Sequence, residues 1–251
     1  FFLKDLGGLS SVGSFEVLYK IYIQIRQFIV VLVVVYLPQV SSLYETFPKK
    51  LSSLYKKVSE EISFLTFILF NVAFCFMPLF LSLLDTSYSN YLQFFSIVIF
   101  LGLIFSILGI VPYYFNAGTG DLKINTISSF LMAFTNVLFC LILGYLLNLN
   151  AEGVIIAWAI SQLVANLILI IYYNKKNIMY RDDFKIKPTF FILSLLYFFL
   201  CIYINNSFDY NLHLITIINS FFLFIYLIIV YITNDLVKDF IKKIMDKIYY
   251  G

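Results

Sequence analysis

Glu16, Lys20, Gln24 and Gln27 fall at spacings of four, four and three in an otherwise apolar segment. On an α-helix these intervals put one carboxylate, one ammonium and two amides on a single stripe. Arg26 lies off that stripe, roughly a quarter turn from Glu16. Ionisable groups at membrane depth are costly and normally face a bundle interior or a wet cavity. Two arrangements satisfy that requirement. The stripe lines a substrate cavity, or Glu16 and Lys20 pair at i, i+4 near the outer interface and hold helices together. Arg26 and Gln27 lie too deep for easy snorkelling, which favours the cavity.

Other chemistry-bearing patterns are missing. The sequence has no HExxH, CxxC or GxSxG, and no DxD in a solvent loop. Asp182-Asp183 sits between Arg181 and Lys185 and reads as a solvated charge cluster. Cys75, Cys140 and Cys201 fall inside apolar runs without metal-like spacing, where thiols behave as small hydrophobes. Gly118 and Gly120 lack the preceding strand and the Gly-Lys-Ser/Thr ending of a phosphate loop. Neither a metal nor a cofactor is expected, and the residues favour transport over catalysis.

The elements that position the stripe follow from composition. The chain is 62% hydrophobic and 12% charged, with a mean hydropathy of +0.94. A spanning helix needs about 20 apolar residues. Such runs occupy 15–43, 63–84, 91–115, 125–147, 151–173, 189–205 and 212–233, the sixth being the shortest. Barrel strands would be about half as long and would alternate. The expected class is therefore all-α, a polytopic helical membrane protein with seven complete spans. Residues 1–14 read as the outer end of a truncated helix followed by a Gly/Ser turn. Residues 15–233 read as a transmembrane lobe, and 234–251 as an amphipathic cytoplasmic tail. The start at Phe1 suggests a piece of a longer protein.

Charge sets the orientation. Of seventeen Lys and Arg residues, fourteen lie in alternate gaps, at 44–62, 116–123 and 174–188 and in the tail. The gaps at 85–90, 148–150 and 206–211 carry none. Cytoplasmic loops retain positive charge, so the C-terminus is expected inside.

Several residues within the spans shape the helices. Pro38, Pro78 and Pro112 are kink candidates. Gly102 and Gly109 would allow close helix packing. Asn71, Asn136, Gln162 and Asn166 are expected to hydrogen-bond between helices. Leu51, Leu54, Tyr55 and Val58 predict a short amphipathic helix on the cytoplasmic surface. Glu152 opens the fifth span, where a carboxylate suits the helix dipole. His213 is expected at the outer interface.

GGLSSVGSFEVLYKIYIQIRQFIVVLVVVYLPQVSSLY at 7–44 resembles the start of the C-terminal lobe of polysaccharide flippases. These are the O-antigen and teichoic-acid exporters of the polysaccharide transporter family. They lie within the multidrug/oligosaccharidyl-lipid/polysaccharide exporter superfamily. The similar features are the turn ending at Gly13, Tyr19-Lys20-Ile21, and Pro38 with Ser41, followed by LSSLYKK. NAEGVIIAWAISQ at 150–162 is similar to a family helix start, with Ile155 and Ile156 in place of small residues. The resemblance implies a full protein of about fourteen spans in two lobes, this chain being the second. It implies a bacterial cytoplasmic-membrane flippase for undecaprenyl-diphosphate-linked oligosaccharide, working by alternating access with the missing N-terminal lobe. Glu16, Lys20, Gln24, Gln27 and Arg26 would then meet sugar hydroxyls or the diphosphate, which suits arginine's fork of donors. The partners implied are that glycan, membrane lipids and the first lobe; no nucleic acid is expected. The rival readings are a membrane-embedded polysaccharide polymerase and a drug/cation antiporter of the same superfamily.

Overall fold

The computed structural model describes residues 2–84, 90–176, 188–207, 212–233 and Lys238. These residues are helical almost throughout, and no strand occurs among them. In chain order the helices are α1 (Phe2–Val34), α2 (Leu37–Thr46), α3 (Pro48–Leu84), α4 (Asn90–Leu108) and α5 (Ile110–Gly118). They continue with α6 (Leu122–Phe139), a π-helical segment (Cys140–Leu146), α7 (Asn150–Lys176), α8 (Pro188–Ser207) and α9 (Leu212–Thr233). Six helical stretches are long and apolar enough to cross a membrane, and Phe190–Asn205 is a shorter apolar helix. The chain is an all-α, multi-pass membrane protein. Residue 1, the gaps at 85–89, 177–187 and 208–211, and the expected amphipathic tail from 234 apart from Lys238 lie outside the described residues.

Local chemistry explains most helix boundaries. The break between α1 and α2 falls at Val35 and Tyr36, and Pro38 stands in the first turn of α2. A missing backbone donor costs nothing there. Pro112 likewise follows the break at Gly109 and lies in the first turn of α5. Pro78, by contrast, sits inside the unbroken α3. Asn148 and Asn150 take left-handed backbone angles, φ 54° and 50°, and turn the chain from the π-helical segment into α7. Asparagine tolerates that region better than most residues.

Two expectations are corrected. The Gly/Ser turn over 7–14 is reduced to one non-helical residue, Gly8 (φ 72°), and Gly13 is helical. The short amphipathic helix near 51–58 is not separate but forms the first turns of α3. Its apolar face is covered by protein instead of lipid. Leu51 and Val58 are buried, and the Tyr55 ring stacks on Tyr173 at 4.0 Å and meets Phe115 edge-on at 5.2 Å.

The helices form two compact units: residues 1–66 with 89–182, and residues 67–88 with 183–251. In the first, α7 packs against α1, α4, α5, α6 and the π-helical segment. Small residues permit the closest approaches. A Cβ on Gly102 would overlap the Trp158 ring, and one on Gly109 would overlap the Asn166 side chain. Gly153 lies against the backbone of Leu143 and Gly144, so the start of α7 nests on the π-helical segment. Ser128 Oγ donates to the Ala165 carbonyl at 2.9 Å, joining α6 to α7. Asn136 Nδ2 reaches Ser161 Oγ at 3.5 Å, and Gln162 Nε2 reaches Met132 Sδ at 3.2 Å. Asn136 and Gln162 thus make the interhelical contacts expected of them, whereas Asn166 Nδ2 donates to the Gln162 carbonyl within α7 at 2.6 Å.

The second unit contains the latter half of α3 with α8 and α9. Phe70, Phe74 and Phe198 are fully buried there, and Phe67 meets the rings of Phe190 and Phe191. The interior is not wholly apolar, because Ser194, Asn205, Thr216 and Asn219 are buried among the aromatics.

Candidate functional site

α1 is tied into the first unit near both of its ends. Gly7 lies against Ala151 at the start of α7. Beyond α1, Val40 of α2 lies against Gly118 at the end of α5, and Ser41 Oγ donates to the Gly118 carbonyl at 2.8 Å. Glu16, Lys20, Gln24 and Gln27 fall between these anchors. At 1.5 Å per residue, all four lie within about 12 Å of the midpoint between the two anchors.

The two faces of α1 differ in chemistry. Leu18, Ile29 and Val33 are buried against the first unit. Glu16, Lys20, Gln24 and Gln27 are all exposed on the opposite side. The same side continues towards Val34 with exposed Phe28 and Val31. The stripe is thus polar over three turns and apolar over the next two. Glu16 and Lys20 form no ion pair with each other. The structure therefore brings the four stripe residues together without the internal Glu16–Lys20 pair that would let them serve as helix glue.

Arg26 belongs elsewhere. It is half-buried, and its Nε donates to Ser106 Oγ on α4 at 3.2 Å. No carboxylate pairs with it among the described residues. Its stem and one donor are used in the α1–α4 contact, so it adjoins the stripe without sharing its face. Ser106 itself is buried. Sequence reading missed this partner because it stands 80 positions away and nothing local marks it.

An aromatic cluster supports the helix behind the stripe. Phe15 and Tyr19 stack at 5.6 Å, and both meet Trp158 edge-on, at 6.1 and 6.2 Å. A half-open cavity of about 200 Å³ lies beside it, lined mainly by Phe2, Phe15, Asn136, Cys140, Ile155 and Trp158. The chain's single tryptophan was the available signal for this cluster.

A second polar group sits at the far end of α7. Lys176 Nζ pairs with Asp121 Oδ2 at 2.7 Å, and the Tyr172 hydroxyl donates to the same oxygen at 2.8 Å. Asp121 lies in the turn between α5 and α6. Hydrogen bonds from Lys176 and Tyr172 hold its carboxyl below the ordinary range. This cluster fastens the α5–α6 turn to α7. The lysine's exposure keeps the pair's energetic value small.

Among the described residues no three His, Cys, Asp or Glu side chains gather as metal ligands would. Compared with protein-family models, curated proteins and solved structures, the chain matches none of them.

Proposed function

We propose that this chain is one lobe of a membrane transporter that helps flip a lipid-linked oligosaccharide across a bacterial cytoplasmic membrane. The observation that carries the reading is the exposed polar stripe of Glu16, Lys20, Gln24 and Gln27 on a helix long and apolar enough to cross a membrane. A charged side chain near the bilayer centre costs about 3 kcal/mol on insertion scales. Two charges without an ion pair among the described residues and two amides on one exposed face call for water or polar protein opposite them. A second lobe facing α1 across an aqueous path supplies both. Amides and mixed charges suit a hydroxyl-rich solute, since each can hydrogen-bond to sugar hydroxyls without a fixed charge match.

In this reading an undecaprenyl-diphosphate-linked glycan passes along the stripe while its lipid portion stays in the bilayer. Arg26 stands beside the path and braces α1 on α4. The two lobes alternate access between leaflets. The C-terminus and the basic loops lie inside, as the charge alternation implies.

The test is genetic and chemical together. Removing the gene should abolish surface glycan and cause lipid-linked precursor to accumulate on the inner leaflet. With the gene restored, replacing Lys20 and Gln24 together by leucine should reduce surface glycan at unchanged protein abundance. Normal surface glycan in the deletion strain, with no precursor build-up, would rule the assignment out.

A further inference from the structure

Three parts of the first unit meet at one edge. Ser41 Oγ ties α2 to the end of α5 through the Gly118 carbonyl at 2.8 Å. Asp121, in the turn between α5 and α6, pairs with Lys176 at the end of α7. Tyr44 of α2 stands close to Lys176, and Lys123 stands close to Asp121. The Tyr55 ring, stacked on Tyr173, holds the first turns of α3 against the last turns of α7. The corner between α2 and α3 therefore sits beside the α5–α6 turn and the end of α7.

The chemistry of this edge is one-sided. Lys49, Lys50, Lys123, Lys175 and Lys176 are all exposed on it. The carboxylates beside them are Glu45 and Asp121, and Asp121 is committed to Lys176. Lys49, Lys123 and Lys175 form no ion pair among the described residues. Aromatic and aliphatic side chains are exposed between the lysines: Tyr44 at 46%, Phe47 at 57% and Leu122 at 57%. The Lys50 ammonium lies over the Phe47 ring, 4.7 Å from its centre. Ammonium groups set beside exposed rings, at the ends of membrane-spanning helices, match a boundary where acyl chains meet phosphates.

We propose that this edge docks on anionic phospholipid headgroups of the surrounding bilayer through Lys49, Lys123 and Lys175, one each from α3, α6 and α7. Phe47 and Leu122 rest on the acyl boundary while the ammonium groups stay at phosphate level. Asp121 keeps Lys176 on the protein, so that lysine fastens the edge and the other three face lipid. A lysine near an anionic surface strengthens binding about fivefold. Salt screens the effect. The inference rests on the chain spanning a membrane and not on the transport reading.

Native mass spectrometry of the chain released from neutral detergent tests this. Phosphatidylglycerol should bind several-fold more tightly than phosphatidylcholine of the same acyl chains, and the preference should shrink as ammonium acetate is raised. Replacing Lys49, Lys123 and Lys175 together by glutamine should remove most of the preference and leave phosphatidylcholine binding, helicity and elution volume unchanged. Replacing Lys242, Lys243 and Lys247 by glutamine, an equal change of charge elsewhere, should keep it. If the first triple variant does not fold, Lys49→Gln, Lys123→Gln and Lys175→Gln are read singly, and each should lower the preference. A wild-type chain without the preference would overturn the proposal, as would substitutions at the edge that cost no more than those at 242, 243 and 247. Inorganic phosphate displacing phosphatidylglycerol more strongly than chloride at equal ionic strength would assign the edge to a soluble anion and overturn it too.

Discussion

The Arg26 guanidinium reaches from α1 to α4 and donates through Nε to Ser106 Oγ at 3.2 Å. This contact ties the helix that carries the polar stripe to its neighbour. Polar contacts between membrane helices average about 0.6 kcal/mol and reach about 2. A double-mutant cycle of Arg26→Ala and Ser106→Ala, read by reversible unfolding in detergent, should give a coupling within that range. A coupling of zero would leave Arg26 free to act on the stripe side.

Gly109 and Asn166 set the closest approach of α4 to α7. The Asn166 side chain cannot simply swing away, because its Nδ2 donates to the Gln162 carbonyl at 2.6 Å. Overpacking of this kind typically costs about 1–3 kcal/mol. Gly109→Ala should destabilise the chain by about that amount in thermal denaturation. Adding Asn166→Ala should recover part of the loss, since it removes the overlapping amide. No recovery would mean that the strain is borne by the backbone.

Asp121 offers a pH readout outside the spans. Its folded carboxyl titrates below the ordinary value of 3.8, mainly because Lys176 and Tyr172 donate to it. The sign follows from the lowered value. Stabilisation by this contact is present above the ordinary carboxyl value and is lost as pH falls through the depressed one. A carboxyl-carbon titration followed by NMR should show a midpoint under 3.8. Lys176→Met should move the midpoint upward, and a midpoint that does not move would assign the shift to another group.

Orientation can be tested with single cysteines, because the three native thiols are buried. An impermeant maleimide applied to whole cells should label Asp85→Cys and leave Lys50→Cys protected. The reverse pattern would invert the orientation drawn from the Lys and Arg alternation.

Sequence alone determined the fold class, because hydrocarbon imposes length and apolarity on any helix that crosses it; of the seven expected spans, six are long and apolar enough among the described residues, and Phe190–Asn205 is shorter. The stripe was legible for a similar reason: Glu16, Lys20, Gln24 and Gln27 depend only on the 3.6-residue period. So were the boundaries near Pro38 and Pro112, where a missing N–H is a local matter. Tertiary structure decided which way each face points. Whether Glu16 and Lys20 pair, and whether Arg26 joins the stripe or Ser106, depends on side chains brought together across the bundle. The same holds for Tyr55, whose apolar face was compatible with lipid but is covered by Phe115 and Tyr173. It holds too for Asn71, a mid-span amide whose neighbour, Tyr226 of α9, stands far along the chain. Periodicity encodes a direction around one helix axis; what stands in that direction is fixed by long-range packing.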